Sequence, residues 1–225
     1  MNKIKFIDNT TLKILACIFM VIDHVGLFLF PDIVILRIIG RLAYPIFAFC
    51  ISEGFHYTKS KRNYLIRLLC FALISEPIFN LVNNGTLFYL GYQNVLFTFS
   101  LAVFFLWICD KLKDNKELKR IVYFIPEVIL FITFFLIAVI LKIDYNGYGF
   151  TLVIVFYYLR NKELYRNICI PITQLIFLRG YSLVSILSIF IIMLYNEKKG
   201  RSMKYFFYLF YPLHLLIIYL LTLYL

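Results

Sequence analysis

The chain has 225 residues, 63% of them hydrophobic, and its mean hydropathy is +0.86. Soluble domains are only about half apolar, and one core of this size cannot hide the excess, so the composition excludes an ordinary soluble protein. The net charge of +11 does not indicate nucleic-acid binding, because the basic residues fall in short clusters between apolar runs.

The apolar runs predict an all-α, polytopic membrane helical bundle that forms a single domain over 1–225. A helical span needs about 20 apolar residues, and the runs predict about nine spans, within a range of eight to ten. The chain begins with lysines and an apolar run, as a signal peptide does. No small-residue cleavage site follows, so we expect this run to be retained as a span. In chain order the predicted spans are 12–30, 34–56, 64–82, 95–110, 121–142, 148–160, 166–179, 181–195 and 205–224. The sixth and seventh are short, and they either cross at a tilt or form a re-entrant pair.

The lysines and arginines predict the orientation of the bundle. Nineteen of the 23 lie in the N-terminal segment and in alternate connections, which share one side if nine spans alternate. The positive-inside rule makes that side cytoplasmic. We therefore expect a multi-pass protein of the cytoplasmic membrane with its N-terminus inside and its C-terminus outside.

Ionisable side chains inside the spans form a second pattern, which starts in IFMVIDHVGLFLF (18–30). Depths counted at about 1.5 Å per residue bring five of them to one level: Asp23, His24, Arg41, Glu76 and His214. Such residues are costly in lipid, so they are expected to face a shared polar cavity. Asp23 and Glu76 would neutralise Arg41 and its helix-face neighbour Arg37, while His24 points into the cavity. The alternative is a buried structural salt-bridge network with two satisfied histidines.

A further cluster follows the second span in SEGFHYTKSKR (52–62). Glu53 and His56 are three residues apart and share a helix face. The basic residues that follow are Lys59, Lys61, Arg62 and Arg67. One interpretation is contact with anionic lipid. The other is a cytoplasmic entrance that binds the phosphates of a ligand.

Several common signatures are missing from the sequence. It has no P-loop, no H-E-x-x-H, no G-x-S-x-G and no G-x-G-x-x-G, which argues against an ATPase, a familiar zinc protease and a dinucleotide enzyme. The five cysteines are scattered through apolar runs without a C-x-x-C, so we expect them to be reduced, buried and structural. No metal is expected.

Four stretches of the chain carry a family resemblance. They read LKILACIFMVIDHVGLFLFP (12–31), RIIGRLAYPIFAFCISEGFHYTKSKRNYLIRLLCFALISEPIFNL (37–81), NVLFTFSLA (94–102) and YPLHLLIIYL (211–220). The D-H-x-G, G-R-L-A-Y-P-I-F-A-F, E-G-F and S-E-x-x-F-N elements are specific in combination. The chain resembles the TraX family of multi-span bacterial membrane proteins, and the stretch 110–205 resembles it only in general character.

This resemblance implies an acetyltransferase, because the family's founding member is associated with N-terminal acetylation of conjugative pilin. TraX-like proteins are also similar to the wider class of membrane acyltransferases, in which a histidine near the first span is the usual catalytic residue, and His24 matches it. The acyl donor would be cytoplasmic acetyl-CoA, and the acceptor an unidentified envelope component.

The chemistry of acyl transfer then suggests a role for each residue of the layer. His24 would be the general base, or alternatively a transient acyl carrier, because histidine titrates near neutral pH. Arg41, with Arg37, would stabilise the developing oxyanion. Asp23 and Glu76 would hold the arginines, and His214 would be a second acid or base.

The donor is expected to bind at the cytoplasmic cluster, with its phosphates on Lys59, Lys61, Arg62 or Arg67 and its thioester passing Glu53 and His56. Two other functions compete with this one. A proton-coupled small-molecule carrier uses the same midplane residue types, although no inverted repeat is visible. A scaffold protein would use the buried pairs for folding alone.

Overall fold

The computed structural model describes residues 5–113 and 120–224, and within these ranges the chain is helical, with two isolated β-bridges and no strand. The helices are α1 (Asn9–Phe28), α2 (Val34–Gly40), α3 (Ala43–Tyr57), α4 (Lys61–Asn84), α5 (Val95–Lys113), α6 (Arg120–Ile140), α7 (Asn146–Tyr158), α8 (Glu163–Phe177), a 3₁₀ helix (Gly180–Leu187), α9 (Ser188–Met193) and α10 (Lys204–Thr222).

Five helical stretches are long and apolar enough to cross a membrane. They are α1, the stretch Val34–Tyr57 that contains α2 and α3, α4, α5 and α10. Many large apolar side chains on these helices are exposed, as lipid-facing residues are. The protein is therefore an all-helical membrane protein, as predicted.

Helical backbone lies at each of the nine predicted spans, but two of them are not continuous α-helices. A turn at Arg41 and Leu42 divides the second, and the eighth consists of the 3₁₀ helix followed by α9. The sixth and seventh correspond to α7 and α8, which have 13 and 15 residues and are short for a perpendicular crossing. That all nine segments cross the membrane stays a prediction.

Local sequence explains where the main helices begin and end. Asp8 caps α1 by accepting a hydrogen bond from the Thr11 amide at 2.7 Å, and Ser60 caps α4 in the same way through Asn63. Gly85 ends α4 in a left-handed conformation that glycine adopts without strain. These caps fix the ends of the two helices that frame the central cavity.

Helix α1 packs against α2, α3 and α10, while α4 packs between α5 and α10. The basic N-terminal segment and the connections that follow α3, α7 and α9 meet at one end of the bundle. There the Asn9 amide donates to the Lys198 carbonyl at 2.9 Å, and Arg160 lies 2.7 Å from Glu53. The fold therefore gathers these basic segments at one end.

Candidate active site

A cavity of about 580 Å³ lies between α1, α3, α4, α5 and α10. One end, which we call the basic mouth, is lined by Lys13, Arg67, Lys199, Arg201 and Lys204. The other, which we call the histidine end, is lined by Asp23, His24, Gly40, Tyr44, Asp144 and Tyr145. His24 lies eleven positions after Lys13 on α1, which is about 16 Å along a helix. The wall between the two ends is largely apolar and includes Cys17 and Cys50.

Asp23 forms the predicted ion pairs with both arginines at the histidine end. Its carboxylate lies 2.7 Å from Arg37 Nη1 and 3.2 Å from Arg41 Nη2, and Arg37 also donates to the Asp23 carbonyl at 3.0 Å. A Cβ at Gly40 would lie 2.2 Å from the Asp23 Cβ, so only glycine permits this approach of α2 to α1. Arg37 and Arg41 thus bind the turn of α1 that also carries His24.

His24 and His214 form a hydrogen-bonded pair between α1 and α10. His24 Nδ1 lies 2.8 Å from His214 Nε2, and the two rings are within 6° of parallel. His214 Nδ1 lies 2.9 Å from the Phe210 carbonyl, which can only accept, so His214 carries its proton on Nδ1. With both rings neutral, His24 must then donate from Nδ1. This leaves the lone pair of His24 on Nε2, and His24 is the member of the pair that lines the cavity.

Asp144, which the sequence analysis did not single out, also lies at the histidine end. It belongs to the connection between α6 and α7, and its Oδ1 accepts hydrogen bonds from the Tyr92 hydroxyl and from the Tyr145 amide. Burial raises the pKa of Asp144 to about 6. No sequence signal distinguished this aspartate, because it lies outside the predicted spans and their depth count.

The basic mouth is built by a loop that folds back over the start of α1. Thr10 donates to the Lys199 carbonyl at 3.0 Å and to the Arg201 carbonyl at 2.7 Å, so main-chain contacts hold the loop in place. None of the five cations of the basic mouth forms an ion pair with another described residue. Unpaired cations at the mouth of a cavity favour an anionic ligand.

Most residues predicted to bind the donor do not line this cavity, and donor binding at those residues stays a prediction. His56, Lys59 and Arg62 are exposed and lie outside it. Lys61 donates to the Phe55 carbonyl and lies over that residue's ring. Only Arg67 among the predicted basic residues of this cluster reaches the wall.

Two further residues that the sequence singled out, Arg37 and Glu53, have partners within the protein. Arg37 on α2 forms an ion pair with Asp23 and so belongs to the histidine end. Asp23 lies on α1, at the end of the cavity opposite the basic mouth. Glu53 does line the cavity, but it accepts hydrogen bonds from Arg160 at 2.7 Å and from the Tyr195 hydroxyl at 3.1 Å. This buried network joins α3 to the two connections that follow α7 and α9.

Glu76 does not join the arginines, contrary to the prediction from its depth. Its Oε2 accepts from the Asn94 side chain at 2.5 Å and from the Asn94 amide at 3.2 Å. These contacts tie α4 to the start of α5, because Asn94 also caps the amide of Leu96. Depth along a helix gave the level expected for Glu76, but it did not give the direction of its side chain.

No group of three or more His, Cys, Asp and Glu side chains that could hold a metal ion occurs within 5–113 and 120–224. The cysteines are all free; Cys17, Cys50 and Cys109 are buried, whereas Cys70 is exposed, so the prediction that all five are buried is wrong. The cavity wall thus contains two thiols and no cluster of metal ligands.

Comparison with known proteins decides the family. A family model described as TraX protein matches residues 8–222. The chain belongs to the TraX family. A probable fimbrial assembly protein FimC, serogroup H1, from Dichelobacter nodosus is 30% identical over 240 residues, which cover 91% of each chain. No solved structure matches.

A shorter match concerns an uncharacterized protein, RP591, of Rickettsia prowazekii (strain Madrid E). It is 48% identical over 65 residues, 29% of this chain and 25% of that protein. The TraX match reaches from the cap of α1 to the end of α10, so it includes both histidines of the pair and all of the basic mouth. The resemblance seen in four stretches of the sequence is thereby confirmed over most of the chain.

Proposed function

We propose that this TraX protein is a membrane-embedded acetyltransferase that moves an acetyl group from cytoplasmic acetyl-CoA to an envelope acceptor, with His24 as the catalytic base. The observation that carries the proposal is the His24–His214 pair, which leaves the lone pair on Nε2 of the histidine that lines a cavity whose other end is cationic. A neutral base and a phosphate-binding entrance in one cavity are what a cytoplasmic acyl-CoA requires.

The orientation follows from the positive-inside rule. With nine spans and a cytoplasmic N-terminus, the basic mouth opens on the side where acetyl-CoA is made. The histidine end then lies toward the outer leaflet, and the C-terminus lies outside. The same arrangement accounts for a cavity that has basic residues at one end and the ion pairs of Asp23 at the other.

The donor would bind with its phosphates among Lys199, Arg201 and Lys204, which take the place of the cluster favoured by the sequence. Lys13 and Arg67 line the cavity just inside this group. The apolar wall suits the extended thiol arm of coenzyme A, so the thioester would reach the level of His24. Charge-assisted hydrogen bonds to phosphate supply most of the binding energy in such a site.

In the transfer step, an acceptor amine or hydroxyl attacks the carbonyl carbon of the thioester. His24 Nε2 takes the proton from the attacking atom, and His214 shares the resulting charge through its hydrogen bond to His24. The tetrahedral intermediate expels the thiolate, the C–S bond breaks, and the thiolate takes the proton back from His24. Arg41 Nε has no acceptor among the described residues, and Arg41 is the proposed partner of the oxyanion.

The acceptor is an envelope molecule, either a protein N-terminus or a glycan. The relative from Dichelobacter nodosus carries the words fimbrial assembly protein in its name, so a pilus subunit is the first protein acceptor to test. The proposal does not depend on that choice, because the cavity and the histidine pair serve either acceptor.

The experiment uses inside-out membrane vesicles that contain the wild type, His24→Ala or the control His56→Ala. Vesicles with native envelope material receive labelled acetyl-CoA, and we follow released CoA and label in protein, glycan and lipid. We expect transfer by the wild type and by His56→Ala, and a loss of about 10² to 10⁴ in rate for His24→Ala. Equal acetyl-CoA consumption by His24→Ala and the wild type would refute the catalytic role. Absence of consumption by all three folded proteins would favour a carrier.

A further inference from the structure

A second, smaller cavity of about 220 Å³ lies beside the basic mouth, and we call it the Arg166 pocket. It lies between the end of α3, the start of α8 and the segment that follows α9. Its lining includes Glu53, Arg160, Arg166, Tyr195 and Glu197. Glu53, Tyr195 and Glu197 also line the larger cavity, so the two cavities share part of one wall.

Arg166 is buried in this pocket without a counter-charge from the described residues. The residue is only 8% exposed, and no ion pair of the described residues includes it. Its Nε has no hydrogen-bond acceptor in the same part of the chain, and its guanidinium carbon lies 5.7 Å from the centre of the Phe49 ring. A buried charge is stable when it is paired and hydrogen-bonded, so this guanidinium indicates an anion that comes from outside the chain.

The carboxylates that line the pocket have cations of their own. Glu53 lies 2.7 Å from Arg160. Lys5 lies 3.5 Å from Glu163 and 3.7 Å from Glu197. None of these carboxylates lies within ion-pair distance of the buried arginine, so their pairing leaves that arginine to a ligand.

The start of α8 adds to the positive potential around Arg166. This arginine is the fourth residue of the helix, which begins at Glu163 and has no side-chain cap. The N-terminal end of a helix carries partial positive charge, so it favours an anion and disfavours a cation. A guanidinium binds two oxygens of a phosphate or carboxylate group at once. The pocket therefore favours an oxyanion such as a phosphate group.

A short, fixed segment separates the Arg166 pocket from the basic mouth. Glu197 lines the pocket, and Lys199 lines the basic mouth two residues further along the chain. Two residues extend over at most about 7 Å. The Lys198 amide donates to Asn196 Oδ1 at 2.9 Å, and the Lys198 carbonyl accepts from the Asn9 amide at 2.9 Å. Phosphate groups bound at the two sites can therefore belong to one molecule.

We propose that the Arg166 pocket binds the 3′-phosphate on the ribose of acetyl-CoA, while the basic mouth binds the diphosphate. This rests on the proposed function and deepens it, because it assigns a part of the donor that the protein recognises. A phosphate monoester carries a charge of about −1.5 to −2 at pH 7 and has three acceptor oxygens, which suit a guanidinium at a helix N-terminus. The protein therefore selects coenzyme A thioesters and discriminates against acyl donors without this phosphate, such as acetyl-phosphopantetheine.

The test compares the binding of coenzyme A with that of dephospho-coenzyme A, which lacks only the 3′-phosphate. Dissociation constants are measured by calorimetry with the purified full-length protein in detergent. We expect the wild type to bind coenzyme A about 10- to 100-fold more tightly, because the dephospho form cannot make the charge-assisted hydrogen bonds to Arg166.

Two variants assign this preference to the arginine. In Arg166→Gln the two ligands should bind within about threefold of each other. The glutamine removes a buried charge that has no ion pair with the described residues, so the variant should fold. Arg166→Lys keeps the charge but loses the planar fork, and it should show an intermediate preference.

Arg62→Gln is the matched control, since Arg62 is exposed at the same end of the bundle and lines neither cavity. It should retain the preference of the wild type. Equal binding of the two ligands by the wild type, or an unchanged preference in Arg166→Gln, would overturn the proposal while the proposed function stands.

A thermal unfolding measurement with inorganic phosphate distinguishes a separate anion from the donor. If phosphate raises the Tm of the wild type but not of Arg166→Gln, and the wild type binds both coenzymes alike, the pocket binds a free anion and its assignment to the donor is wrong. If the wild type binds neither coenzyme, the proposed function itself fails.

Discussion

The two ends of the cavity differ in whether their charged side chains form ion pairs. At the histidine end Asp23 is paired with two arginines, since it lies within 3.2 Å of Arg41 and 2.7 Å of Arg37. At the basic mouth the cations have no acidic partner among the described residues. Groups at the histidine end therefore serve the fold as well as the chemistry, whereas the cations of the mouth are available to a ligand.

Among the substitutions that test this difference, we expect the largest effect on protein stability from Asp23→Asn. In Asp23→Asn two largely buried guanidinium groups lose their counter-charge, and removal of one partner from a buried pair costs about 3–5 kcal/mol. We expect a large loss of folded, monodisperse protein after detergent extraction, measured by size exclusion and by thermal unfolding. Asp32→Asn, which removes an exposed aspartate, should leave both measurements unchanged. Full stability of Asp23→Asn would mean that the pair is not structural.

The second effect concerns the basic mouth. The triple variant Lys199→Ala, Arg201→Ala, Lys204→Ala should fold normally, because the loop is held through main-chain carbonyls. We expect the KM for acetyl-CoA to rise about tenfold to hundredfold, since charge-assisted hydrogen bonds to phosphate are lost. The difference between variant and wild type should shrink at high salt, which screens exposed charges.

The matched control is the triple variant Lys59→Ala, Lys61→Ala, Arg62→Ala. It removes the same number of positive charges from the same end of the bundle, but from residues outside the cavity. We expect its KM for acetyl-CoA to stay within about twofold of the wild type. The reverse result, with the larger KM in this control, would return donor binding to the cluster that the sequence alone suggested.

The smallest effect that we expect concerns the histidine end and is a shift in the pH profile of Tyr92→Phe. Tyr92→Phe removes one of the two donors to Asp144 Oδ1, and a lost hydrogen bond to the charged form raises the pKa of a carboxyl group. The acid limb of acetyl transfer should therefore move to higher pH, by less than about one unit. A full pH profile measures it, with the exposed Tyr89→Phe as the control. A limb that does not move would mean that Asp144 does not set it.

Several features were predictable from the sequence because they depend on local composition. Apolar runs gave the helices, and the cost of a charge in lipid predicted that Asp23 pairs with the arginines. The break between α2 and α3 was not predictable, because it depends on the close approach of Gly40 to Asp23 on another helix. Depth along a span was informative, but it did not give the direction in which Glu76 points.

The basic residues that line the cavity were not the ones that the sequence singled out, for a related reason. Lys59, Lys61 and Arg62 are close in sequence to a helix end, and this nearness suggested a binding site. The residues that reach the cavity do so because Thr10 binds the Lys199 and Arg201 carbonyls, across about 190 residues of sequence. Asp144 was missed because its position depends on contacts with Gln93 and Thr98 that no local pattern reveals.

The two cysteines in the wall of the cavity have a practical consequence. Cys17 and Cys50 are free thiols on facing helices, between the basic mouth and the histidine end. A small thiol-reactive probe that enters from the mouth must pass the path of the donor to reach them. The rate at which such a probe labels Cys17 and Cys50 therefore reports whether a ligand occupies the cavity. The exposed Cys70 is the internal reference, and the measurement requires no knowledge of the acceptor.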